Sequence, residues 1–134
     1  MKNILNILFV FLLILGCQKD SSSPTESNTQ KLGEAFDLKI GQAVSIKDEQ
    51  LTIQFVNVPS DSRCPKGAMC IWAGNALVQI KVSNNLDTLN TIANPSEMTS
   101  GVYTIRLLDL MPYPSIDTPK DTTSYVAKLL VTKS

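Results

Sequence analysis

The chain has 134 residues with 12 basic and 12 acidic side chains and no histidine. One domain is the expectation at that length. Without histidine, the imidazole general base, the imidazole metal ligand and every His-containing triad are excluded. A net charge of zero lacks the basic face that a nucleic-acid binder needs to release phosphate counterions. The 43% apolar content excludes a wholly disordered chain, although the first segment contributes heavily to it. Together these features favour a small non-catalytic module.

Lys2 gives a short positive start, and Ile7 to Leu15 is an unbroken apolar run. That run is too short for a hydrocarbon core, which needs roughly 20 residues, so residues 1–16 read as a secretion signal. The segment Ile14-Leu15-Gly16-Cys17 resembles the lipobox of bacterial lipoproteins, whose cysteine is diacylated and becomes the mature N-terminus. The resemblance implies lipidation at Cys17 and a protein held on the cell outer membrane, because several buried acyl chains anchor stably where one does so marginally. Gln18-Lys19-Asp20 is similar to the export tag of Bacteroidota surface lipoproteins and implies an outward-facing anchor. Ser21 to Gln30 is polar and cannot repay its ordering entropy, so residues 17–33 are expected to be the lipidated cysteine and a flexible tether, ahead of a domain over 34–134.

With Cys17 acylated, two of the three cysteines remain, Cys64 and Cys70. In an oxidising compartment their default state is a disulfide. Zinc would need further ligands that the chain does not offer, and the spacing is not C-x-x-C, so no metal and no cofactor are expected. Closing so small a ring contributes roughly 2–2.5 kcal/mol. Its clearer effect is local, freezing Pro65, Lys66, Gly67, Ala68 and Met69 into a knuckle that a partner need not order on binding.

From Ala35 onward the apolar period is 2, not 3.6. Strands are expected at Phe36 to Ile40, Ala43 to Lys47 and Leu51 to Val58, the last switching parity at a bulge near Phe55-Val56. Asn75 to Val82 follows, then a tight hairpin at Ser83-Asn84-Asn85-Leu86 of type I′, since asparagine tolerates positive φ. Asp87 to Ile92 is a weaker strand, Tyr103 to Leu110 a strong one with a second parity switch, and Tyr125 to Thr132 closes the domain. Pro59 to Gly74, Ala93 to Gly101 and Met111 to Ser124 read as loops. No stretch carries helical spacing with caps, so the expected fold is all-β, a small antiparallel β-barrel of about seven to eight strands, the up-and-down type favoured over the OB type.

The most distinctive text is Asp61-Ser62-Arg63-Cys64-Pro65-Lys66-Gly67-Ala68-Met69-Cys70-Ile71-Trp72-Ala73-Gly74-Asn75-Ala76. It resembles a D-S-R-C-P-x-G-x-x-C-x-W-A-G-x-A signature of small Bacteroidota lipoproteins. Phe36-x-Leu-x-Ile-Gly41-Gln42 and Leu110-Met111-Pro112-Tyr113-Pro114 extend the likeness over nearly the whole domain. The general plan is similar to the potempins, outer-membrane lipoproteins with five-stranded OB-type or eight-stranded up-and-down barrels that inhibit secreted peptidases. That resemblance implies a peptidase inhibitor, with a serine peptidase favoured over a metallopeptidase as partner.

On this reading the inhibitory loop comprises Ser62, Arg63, Pro65, Lys66, Gly67, Ala68 and Met69, framed by Cys64 and Cys70. Arg63 or Lys66 would suit an acidic specificity pocket and Met69 a broad apolar one. Arg63 could instead pair with Asp61, Trp72 is expected in the core against the staple, and Gly67 and Gly74 are expected at positive φ. The scattered acids form neither a calcium loop nor a paired-carboxylate site, so no enzyme activity is expected. The alternative is a non-enzymatic accessory or structural subunit of a cell-envelope complex, and a third reading is an apolar ligand held inside the barrel.

Overall fold

A computed structural model describes residues 28–93 and 96–134, so the expected signal segment, Cys17 and most of the expected tether lie outside the described residues. The described chain is all-β. In chain order the strands are β1 (Thr29–Gln30), β2 (Ala35–Lys39), β3 (Ala43–Ile46), β4 (Thr52–Asp61), β5 (Ala76–Val82), β6 (Asn85–Asn90), β7 (Ser96–Ser100), β8 (Tyr103–Met111) and β9 (Val126–Lys133).

Their alternation explains their pairing. In β2, Phe36 and Leu38 are buried while Ala35, Asp37 and Lys39 face out, and β5 buries Ala76, Val78, Ile80 and Val82 on one side. Each such strand has one face to cover, and two stacked sheets cover both. One sheet has the order β1-β3-β4-β5-β6 and the other β2-β9-β8-β7. Between them Phe55, Ile53, Ile80, Val78, Leu38, Ile105, Leu129 and Val131 are all at 0% exposure, so side chains fill the interior. Each contributes roughly 1.5–3 kcal/mol of burial. A hollow barrel holding an apolar ligand is not what these residues build.

Chain order runs round the two sheets as it would round an up-and-down barrel. β3 to β6 form one antiparallel meander, and β7, β8, β9 and then β2 form the other. Among the described residues no ladder joins β2 to β3 or β6 to β7, so the hydrogen-bonded structure is two sheets, not one ring. Thr29–Gln30, expected in the tether, pairs in parallel with Ser45 and Ile46 and takes the free edge of β3.

Both expected parity switches are real bulges. The register of β4 against β5 shifts between Phe55 and Asn57 and again before Ser60, and that of β8 against β9 shifts between Leu107 and Asp109. Three local expectations are corrected. Ala93 to Gly101 is not all loop, because β7 lies within it as an edge strand on β8; its Ser-Glu-Met-Thr-Ser text has one apolar residue and no visible alternation. The β5–β6 turn has positive φ at Ser83 and not at Asn84, the pattern of a type II′ turn and not of I′. Residues 29–30 belong to the domain.

At one end of the molecule Tyr103 Oη donates to Glu49 Oε2 at 2.6 Å and Lys133 Nζ donates to both Glu49 oxygens at 2.9 and 3.0 Å, tying the β3–β4 turn to the second sheet. The opposite end carries the long connections, residues 62–75 between β4 and β5 and residues 112–125 between β8 and β9.

Candidate functional site

The β4–β5 connection is not a floppy loop but an irregular continuation of the hairpin. Beyond the last ladder pair, Asp61 with Ala76, the N–H of Ser62 donates to Asn75 O at 2.7 Å and that of Cys64 donates to Ala73 O at 2.7 Å. Ser62 Oγ also donates to Asn75 O at 3.0 Å. The two chains approach so closely at Gly74 that a Cβ there would sit 1.8 Å from Ser62 O, and its φ is +65°. Both conditions require glycine, as the sequence leads one to expect. Past this neck Cys64 and Cys70 form the disulfide, with 5.9 Å between their Cα atoms.

Arg63 holds the base of this hairpin. Its Nε and Nη2 donate to the two oxygens of Asp61 at 2.9 and 2.8 Å, a bidentate fork, while Nη1 donates to Leu110 O at 2.7 Å and Nη2 also to Pro112 O at 3.1 Å. The Tyr113 ring lies over the guanidinium, 4.9 Å from Cζ to centroid. Tyr125 Oη donates to Asp61 Oδ2 at 2.6 Å, and Lys120 Nζ donates to Asp61 O at 3.0 Å. The paired side chains are 6% and 1% exposed. Only arginine can satisfy two carboxylate oxygens and two carbonyls from one plane. Arg63 is therefore the local ion-pair residue, and it is corrected as a contact residue: its charged end is spent inside the protein.

Burial opposes the charge on Asp61, but the hydrogen bonds from Arg63 and Tyr125 and the positive guanidinium outweigh it and hold the carboxyl at about 2, against 3.8 ordinarily. Burial, and then the bond to the Asp61 carboxylate, pushes the Tyr125 phenol up to about 12. Because the carboxyl is depressed in the folded state, the unfolded chain binds more protons in the acid range. The stabilisation is complete above 3.8 and is lost as the pH falls through about 2. Melting temperatures followed down through that window should drop more steeply for the native chain than for Asp61→Asn, and parallel curves would contradict the assignment.

The second connection braces the first. Lys66 N–H donates to Pro114 O at 2.9 Å and Ile116 N–H donates to Lys66 O at 3.2 Å, a short parallel bridge. Gly67, at φ +86°, lies against the Ile116 side chain so closely that a Cβ would be 2.8 Å from its Cδ1. Lys66 Nζ is 5.9 Å from the Tyr113 ring centroid. Pro65 is half-buried and Ala68 N–H donates back to Pro65 O at 3.1 Å, so Pro65 shapes the turn as expected.

What protrudes is apolar. Met69 and Ile71 are fully exposed, and Trp72 is 82% exposed. Trp72 is thus corrected from core to surface: the hairpin carries it past the buried Ala76, Leu110 and Tyr125, and among the described residues nothing covers it. Together with Ser62, Cys64, Pro65, Cys70 and Ile71 it lines an open cleft of about 350 Å³. The structure therefore brings the sequence-selected residues to one end but divides them. Arg63 is internal, Ser62, Pro65, Lys66 and Gly67 are committed to the frame, and Met69 stands free beside Trp72, which the sequence placed in the core, and Ile71, which it did not single out. No alternation marks them, because residues 66–73 are exposed throughout and belong to no strand.

Among the described residues no group of three acidic or cysteine side chains is placed to hold a metal ion. Comparison with family models, with curated proteins and with solved structures gives no match for this chain.

Proposed function

We propose that this chain is a lipid-anchored, outward-facing outer-membrane protein that inhibits a secreted peptidase, a serine peptidase in preference to a metallopeptidase, through the hairpin framed by Cys64 and Cys70. It acts as a binding module and not as an enzyme. The anchor rests on the lipobox text at Cys17, and the inhibitory role on the potempin-like plan together with one observation. That observation is a protruding segment whose shape is fixed from three sides, by the disulfide, by the Arg63–Asp61 clamp and by the bridge from Lys66 to residues 114–116. An inhibitor has to fill a cleft without being ordered by it and without being cut and released, and a segment already rigid meets both demands.

The test is a titration of the full chain against serine, cysteine and metallopeptidases. Stoichiometric loss of activity of a serine peptidase is the expected result. A folded, oxidised chain that leaves every class active would favour the accessory-subunit reading. That reading has an observation of its own, the half-exposed Leu108 and Met111 on the outer face of the second sheet.

A further inference from the structure

Of the two sides of the disulfide ring, one is used up. Lys66 has both backbone groups in the bridge to Pro114 and Ile116, and Gly67 is pressed on the Ile116 side chain. The other side is unused. Among the described residues the N–H groups of Met69, Cys70, Ile71 and Trp72 donate to no protein atom, while the side chains of Met69 and Ile71 are fully exposed. Exposed apolar side chains beside unpaired main-chain donors suit a cleft that supplies both pockets and main-chain acceptors.

Resting on the inhibitor reading, we propose that residues 69–72 are the part that enters the peptidase cleft, with Met69 filling an apolar primary specificity pocket, so that the target is a serine peptidase of the broad apolar, subtilisin-like class and not one with an acidic pocket. Methionine is unbranched and polarizable and fits a broad pocket. Neither cation that would suit an acidic pocket belongs to this free segment: Arg63 is buried on Asp61, and Lys66, although its side chain is exposed, has its backbone N–H and C=O tied to Pro114 and Ile116 and so cannot lie along a cleft in extended form. A lipid surface is the other apolar environment in reach of an anchored protein. It offers no acceptors for the main-chain donors, which are costly to leave unpaired in hydrocarbon, and a chain with 12 positive and 12 negative side chains gains no net attraction to anionic headgroups.

The experiment titrates a subtilisin-type and a trypsin-type peptidase with the full chain in detergent micelles, comparing native, Met69→Ala and Lys66→Ala forms. The subtilisin-type enzyme should be inhibited stoichiometrically, with Ki raised about 30-fold by Met69→Ala. Trp72 is the single tryptophan, so a 5-fluorotryptophan label gives one fluorine resonance; it should shift with the peptidase and not with phospholipid vesicles. Inhibition confined to the trypsin-type enzyme and abolished by Lys66→Ala would overturn the pocket assignment while leaving an inhibitor. A shift with vesicles and none with peptidase would assign the segment to the membrane instead. No inhibition of either enzyme by the oxidised chain would overturn the inhibitor reading itself.

Discussion

Replacing Arg63 by alanine should destabilise the domain by about 3–5 kcal/mol, the cost of leaving a buried charge without its partner. The deletion strands the Asp61 carboxylate, which keeps only Tyr125 as a side-chain donor, and frees the carbonyls of Leu110 and Pro112 that Nη1 and Nη2 now satisfy. It also removes the side-chain hydrogen bonds that tie residue 63 to the carbonyls of residues 110 and 112. Arg63→Lys should recover only part of the loss, because an ammonium cannot grip both carboxylate oxygens and both carbonyls at once. Urea unfolding of the three forms measures this. A loss below about 1 kcal/mol for the alanine form, the range of exposed pairs, would mean that the clamp is decoration.

Gly74→Ala should cost at least about 2 kcal/mol, since positive φ alone costs a residue with a Cβ roughly 1–2 kcal/mol. At this position the Cβ would also overlap backbone, 1.8 Å from Ser62 O and 2.6 Å from its carbonyl carbon, where no rotamer change can relieve it. The neck must open, and with it go the bonds from Ser62 to Asn75 and from Cys64 to Ala73. Gly101→Ala is the natural comparison. Its φ is +61° but nothing lies within 4 Å of the added Cβ, so the difference between the two variants isolates the overlap. Equal losses would show that the two chains of the neck are not in contact.

How much of this was written in the sequence varies by element. Alternating strands such as Phe36-Asp37-Leu38 and Val78-Gln79-Ile80 were legible because a half-buried sheet imposes period 2 on the text. The bulge at Phe55 was legible too, since a parity switch has to be absorbed somewhere. β7 was not, because an edge strand held mainly by main-chain bonds to β8 needs no apolar pattern. The disulfide followed from there being only two cysteines left to pair.

The candidate site was legible as a segment and misread as a set of roles. Arg63 read either as an outward cation or as the partner of Asp61, and the pair is what forms; its further partners Leu110, Pro112 and Tyr113 were not legible because they lie nearly fifty positions away along the chain. Trp72 looked like core because an aromatic ring usually has a layer above it; here the hairpin outruns the sheets, and no such layer exists among the described residues. Which residue of a rigid loop is outward depends on long-range bracing, and that bracing leaves no local trace in the text.

The measurement closest to the central proposal compares the oxidised chain with a Cys64→Ser, Cys70→Ser form in the same peptidase titration, with urea unfolding run in parallel. Loss of the ring should cost about 2–2.5 kcal/mol of stability, leaving the two-sheet core folded, while inhibition falls well beyond what that loss of folded protein explains. If the double-serine form stays folded and inhibits as well as the oxidised chain, the disulfide-framed hairpin is not the inhibitory element.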